Sequence, residues 1–419
     1  MTKNTPLLRK RQPKSSPLLG RKQPKSPPLR RRKQPQPRRN QPQATQSLHY
    51  LPLDLVEEIL CRLPVKQLLQ LRCVCKSWNS LISENSDFAK KHLRASNSNE
   101  GRHHLILKSS RFRHFESPVS TVCSSRDTTM SMYSLREILK KGESDVDGGG
   151  HVSTCDGILC YSIDGSSAIL FNPSIRKFII SPPLKFPDQS HVSILFTLVY
   201  DRFINNYKII ALIGLITQRQ VHVHTLGTHS WRRIQDFPSR DQLERNSNFK
   251  LNRTSTGIFM NDSVNWLTWE VIVSLDLKTE SYQKLSLPVP VSVCNKYFIF
   301  ATLGTLKGCL SLLISMMDKF SEVWIMKEFG NEKSWTKLLS IPYMKTWGRF
   351  RYSKVLYISD DRRVLMEILM TRKYKYRLVV YDSINNTFHF PEFQNKIHDA
   401  VVPKVYVESL ISPFSRCCN

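Results

Sequence analysis

The sequence predicts a multidomain chain with a disordered basic tail at residues 1–47, a small all-α unit of three short helices at 48–94, and an all-β propeller-like domain at 103–413. Three observations predict it. The first 39 residues hold fourteen Lys and Arg and no acid, half of the net charge of +28. Between Leu51 and Leu93 apolar residues recur at helical spacing, broken by a Leu-Pro pair. From Phe178 onward an aromatic returns about every fifty residues.

The tail consists of imperfect copies of one unit, RKRQPKSSPLLG, RKQPKSPPLR and RRKQPQPRR. Rich in Pro, Gln and like charge, it cannot bury enough apolar surface to offset its ordering entropy. Its densest cluster, Arg30, Arg31, Arg32 and Lys33, reads as a nuclear import signal, a non-specific polyanion binder, or a solvated tail without a dedicated partner. Ser16-Pro17 and Ser26-Pro27 are candidate phosphate acceptors that would lower this charge. Its Pro density disfavours an organelle transit helix.

In the helical unit, Asp54 followed three residues later by Glu57 is a capping-box pattern, so a helix is expected to open near Asp54. Leu55, Ile59 and Leu63, with Val56 and Leu60 beside them, form one broad apolar stripe. Pro64 ends that helix and suits the start of a second, carrying Val65, Leu68, Leu69 and Leu71. A third begins near Cys75 with Trp78, Leu81 and Ile82. About forty residues is near the size below which a chain needs a partner to fold stably. Part of this apolar surface is therefore expected to face another protein.

The pairs Leu51-Pro52 and Leu63-Pro64, the run LVEEIL and the phrase LRCVCKSWNSLI resemble the F-box motif in its plant form. That resemblance implies docking onto the Skp-type adaptor of a Skp-cullin-F-box ubiquitin ligase, and through it onto cullin. The family's adaptor contacts carry over to Leu51, Pro52, Ile59, Leu63, Pro64, Val65 and Leu68. Trp78 is assigned to the motif's own core or to packing on the next domain.

The C-terminal region repeats an apolar strand, a polar turn and an aromatic. Phe178, Trp231, Tyr282, Trp335 and Phe388 are separated by 53, 51, 53 and 53 residues and are expected to form the repeat's core aromatics. A period near fifty built from short strands indicates propeller blades. Asn172, Asp276 and Asp382, each six residues before its aromatic, suit tight hairpin turns. LVYDRFINNY, ending at Tyr207, is out of step; it is either the other hairpin of a blade or an additional blade. His104 to Lys108 and Val405 to Leu410, at opposite ends of the region, are expected to pair and close the ring.

CDGILCYS, FNPSIRKF, GIFMNDSVNWL, LGTLKGCLSLL, VWIMKEFG and YVESLISP resemble the F-box-associated interaction domain of a large plant group, from about His103 to Pro413. True kelch repeats carry a Gly pair in each blade. Here the Gly cluster is Gly148 to Gly150, in an expected loop, so the propeller is kelch-like only and its blade count stays open. Between the first strand and the repeats, Tyr133 to Lys141 suits a short helix, and GESDVDGGG a loop whose Asp145 and Asp147 lack the other ligands of a calcium site.

No chemistry is legible. His222 and His224 share a strand face but have no carboxylate or Cys partner, and Asp360-Asp361-Arg362-Arg363 reads as a charged turn. No nucleophile elbow, phosphate-binding Gly loop or HExxH is present, so no catalytic, metal or cofactor residue is assigned. The ten cysteines form no CxxC pair, which fits a reducing nucleus or cytoplasm. The longest apolar stretches, Ile194 to Tyr200 and Ile209 to Ile216, fall well short of the roughly 20 residues that span a bilayer.

Together with the resemblance, these features lead us to expect a non-catalytic substrate-recognition subunit with an unidentified protein substrate and no membrane partner. The alternatives are a basic nuclear protein binding RNA or DNA, or a non-ligase interaction scaffold. Nucleic acid is disfavoured because the basic run lacks interleaved aromatics for stacking.

Overall fold

A computed structural model describes residues 51–414 apart from 110–111, 137–138, 140–150, 186–192, 215–218, 239–255, 269–270, 290–298, 317–318, 345–349, 371–374 and 395–400. The tail, Arg30 to Lys33, Asp145, Asp147 and the Gly148 cluster lie outside the described residues.

Four helices open the described chain: α1 (Leu53–Leu60), α2 (Val65–Leu71), α3 (Lys76–Glu84) and α4 (Ser86–Asn97). The first three follow the expected order, and α4 is additional. Asn85 separates α4 from α3 by capping it, its Oδ1 accepting from the Asp87 and Phe88 amides at 2.9 and 2.8 Å. The expected Asp54/Glu57 capping box does not form. Pro52 occupies the cap position, with no side-chain bond to offer, and its carbonyl accepts from Leu55 N–H at 3.0 Å. Glu57 instead turns to Lys91 Nζ of α4, 3.1 Å away.

The rest is a six-bladed β-propeller, six four-stranded antiparallel sheets among the described residues. The inner strands are Val401–Val407, Ser153–Cys155, Ser193–Asp201, Ile258–Met260, Ile299–Leu306 and Phe350–Ile358, for blades one to six. From the second blade to the sixth, and from the sixth to the first, each of these packs on the next. The buried apolar side chains lie between blades: Phe196 and Leu198 meet Ile158 and Leu170 between the second and third, and Val264 and Trp266 meet Val221 and Ile210 between the third and fourth.

The ring closes as expected. Val401–Val407 is the first blade's inner strand and pairs with His103–Ser109 over seven positions, His104 opposite Tyr406 and Leu105 opposite Val405. The segment behind it passes tightly over the second blade: a Cβ on Gly157, whose φ is +79°, would lie 2.5 Å from Val407 O.

LVYDRFINNY is the inner hairpin of the third blade, the same blade that Trp231 finishes. It shares its turn with the other copies because Asp201, like Asn172, Asp276 and Asp382, accepts from the amide two residues on, at 2.9 to 3.0 Å. Four residues after each stands a left-handed residue, Asn205, Arg176, Glu280 or Asn386. Of the helix expected over Tyr133 to Lys141, Tyr133 and Ser134 lie instead in the strand Ser131–Ser134, drawn there by pairing with Arg113–Pro118, while residues 137–138 and 140–141 lie outside the described residues. A helix forms earlier instead, α5 (Val119–Ser124), burying Val119 and Val122.

The five repeat aromatics sit on or just before the outer strands, and all are half-buried; their expected place in the blade core is corrected on this point. Three of them clasp the preceding blade. Trp231 Nε1 donates to Pro182 O at 2.8 Å, Tyr282 Oη to Gln235 O at 3.0 Å, and Trp335 Nε1 to Ser286 O at 3.0 Å. Phe178 packs between the first and second blades, and Phe388 stacks on Tyr381 at 4.6 Å.

Candidate functional site

Helix α1 has two apolar faces, and only one is covered. Leu60 is 1% exposed and Val56 packs beside it, whereas Leu51, Leu55 and Ile59 are 58, 51 and 52% exposed. Leu55 and Ile59, four apart, share the outward face of α1, and Leu51 and Pro52 just ahead of the helix are exposed as well. Leu53 and Val74 are exposed as well, at 72 and 60%. Clustered apolar side chains left in water mark interaction surfaces.

The expected contact residues divide. Leu51, Pro52, Ile59 and Pro64 are exposed, and Leu63 is half-buried. Val65 and Leu68 are corrected: at 1 and 0% exposure they belong to the core of the unit, with Ile82, Phe88 and Leu410. Trp78 borders this same core. The sequence gives no sign of the reason, because the cover comes from far along the chain. Leu410 and Ile411, behind the closing strand, and Ile175, in a turn of the second blade, complete the helical core.

A buried polar clamp fixes the α1–α2 corner to the propeller. Arg102 Nη1 donates to Leu63 O at 2.8 Å, and Arg102 Nη2 donates to Arg62 O. Both carbonyls lie in the turn between α1 and α2, outside either helical ladder, and Arg102 supplies their donors. Glu408 pairs with Arg102 at 3.3 Å, and its second oxygen accepts from Val65 N–H at 3.3 Å. Burial raises the Glu408 carboxyl above its ordinary range, against the pull of Arg102. His92 Nε2 lies 2.9 Å from Arg102 Nη1. Burial lowers its pKa to about 4, so the ring is neutral, and the same nitrogen lies 2.9 Å from Leu63 O. Asn172 Nδ2 donates to Ser409 O at 3.1 Å and to Ile411 O at 2.8 Å, pinning the same segment from the second blade.

The helices therefore sit at the end of the propeller where the inner strands finish. Lys90 Nζ of α4 reaches Asn205 Oδ1, in the turn of the third blade, at 2.8 Å. The inner strands begin at the opposite end.

The remaining candidates acquire structural roles. His224 is buried and bonds Ser230 O at 3.1 Å while packing on Trp231, and His222 is half-buried. Among the described residues no group of three His, Cys, Asp or Glu is placed to hold a metal. Asp360 and Asp361 form a turn, with Asp360 3.1 Å from Lys307. No described helix is long and apolar enough to cross a membrane.

Comparison with known proteins agrees with this division. Residues 48–90 match the F-box domain, and residues 105–413 match the F-box associated beta propeller domain. The chain is 33% identical to F-box/kelch-repeat protein At3g23880 of Arabidopsis thaliana over 88% of its own length and 97% of the relative's. It is 28% identical to the Arabidopsis thaliana F-box protein CPR1, over 77% of this chain and 80% of that one. An outward apolar face on an F-box, welded to a six-bladed propeller, places the chain in the family of plant F-box proteins with an F-box-associated β-propeller, substrate-receptor adaptors by architecture.

Proposed function

We propose that the chain is the substrate-recognition subunit of a Skp-cullin-F-box ubiquitin ligase. The uncovered face of α1 supports this reading: Leu51, Pro52, Leu55 and Ile59 stand in water while Leu60, Val65 and Leu68 are packed, as a surface built for a Skp-type adaptor would. The substrate protein docks at the opposite end of the propeller and is held near the ubiquitin-loaded enzyme that cullin recruits. The chain contributes no chemistry of its own; it raises the effective concentration of substrate lysines. A rigid connection is needed for this, and the Arg102–Glu408 clamp provides one. The same reading puts the chain in the nucleus or cytoplasm, with Arg30 to Lys33 as import signal.

Co-purification tests it. The tagged chain should recover adaptor and cullin, and Leu51→Glu with Ile59→Glu should recover neither. Salt-sensitive recovery of nucleic acid by both forms, without adaptor, would favour the nucleic-acid reading instead.

A further inference from the structure

The six inner strands carry almost no acid. Their one carboxylate is Asp201, at the turn end of its strand, where Lys208 Nζ holds it at 2.6 Å. Lys354 and Lys404 stand at mid-strand on the inner strands of the sixth and first blades, which pack directly on each other. Inner strands wall the central channel of a propeller. Lys354 has Glu367 directly across its ladder. Lys404 stands across from Ile106, and among the described residues the charged group that bears on it is Lys354, a like charge.

A further base approaches from the second blade. His151, just ahead of the second blade's inner strand, lies within the fields of Lys354 and Lys108. Lys108 is buried with its ammonium 4.8 Å from the centre of the Tyr161 ring. Lys354, Lys404 and His151 are each touched by solvent, yet burial lowers the pKa of all three, most strongly for Lys404. His151 and Lys108 lie towards the end of the channel away from the helices, since the inner strands begin there and His103–Ser109 runs back to it. For packing alone, an ammonium enclosed beside another is a cost that an apolar side chain of the same length would avoid.

We propose that the propeller's central channel binds a small oxyanion of the phosphate class, held by Lys404 with Lys354 and His151 beside it. The anion enters from the end opposite the F-box and supplies the negative charge that the inner strands lack. The site is independent of adaptor docking, which uses the other end of the molecule.

The test uses the full chain and pyrophosphate at constant ionic strength, read by calorimetry and thermal unfolding. The wild-type chain should bind and its Tm should rise. Lys404→Met should bind about tenfold more weakly or worse and, without pyrophosphate, melt above wild type because the like-charge contact is gone. Replacing Arg30, Arg31, Arg32 and Lys33 by Ala should leave binding in place. If Lys404→Met fails to fold, Lys404→Gln carries the same comparison. Phosphoserine that displaces pyrophosphate assigns the ligand to a partner's modified side chain; failure to displace assigns it to a free anion. Wild-type affinity retained by the Lys404 variant, affinity abolished by the tail substitution, or no binding by wild type overturns the proposal.

Discussion

Arg102 and His92 hold the corner between α1 and α2, where the carbonyls of Arg62 and Leu63 lie outside either helical ladder. The state of His92 makes this corner sensitive to acid. Its pKa is about 4 folded against about 6.5 unfolded, so between these values the unfolded chain takes up the proton first. Stability is therefore complete above pH 6.5 and is lost as pH falls towards 4, by about 3 kcal/mol from this group. His114, lowered by burial to about 3, adds to the same slope. Glu408, raised by burial, acts in the opposite sense just above the ordinary carboxylate range. Urea unfolding of wild type and His92→Gln between pH 4 and 7.5 separates the contributions. The two stabilities should converge as pH falls, since only wild type loses the His92 share.

At the scale of elements, α1 was legible in part. Pro52 and Pro64 set its limits, and the Leu-Pro pairs marked the motif. The fate of Val65 and Leu68 was not legible, because their cover, Leu410, lies over three hundred residues away in the chain. Pattern within a helix tells which residues are apolar, not which of two faces meets the distant element. The missed helix α4 has a local signal, the Asn85 cap, that the apolar spacing of the motif overshadowed. The turns of the blades were legible because Asx chemistry is local, and three of the recurring aromatics, Trp231, Tyr282 and Trp335, clasp the blade before them. The shared core predicts that Leu410→Ala, in the propeller's last segment, destabilises by about 2–5 kcal/mol. Hydrogen exchange should show the loss of protection in α2 and α4 as well as in the propeller. Protection lost in the propeller alone would mean that the two bodies fold separately.

For the whole molecule, closure and docking rest on one segment. Val401–Val407 completes the first blade, and the residues just after it supply Glu408 and Leu410 to the F-box. Deleting residues 401–419 should leave His103–Ser109 as an open edge and expose the helical core, so no cooperative unfolding transition should remain. A truncated chain that keeps the wild-type Tm would contradict this. The blade count was beyond the sequence, because the first blade is assembled from both ends of the domain and leaves no full repeat to count.

The central claim is that the outward face of α1 is reserved for a Skp-type adaptor. The most direct measurement is the calorimetric Kd of the purified full chain for a purified adaptor, with Ile59→Asp measured beside it. We predict tight binding by wild type and a loss of about thirtyfold or more in the variant, at an unchanged Tm. Equal affinity of the two forms, or no affinity in either, would contradict the account.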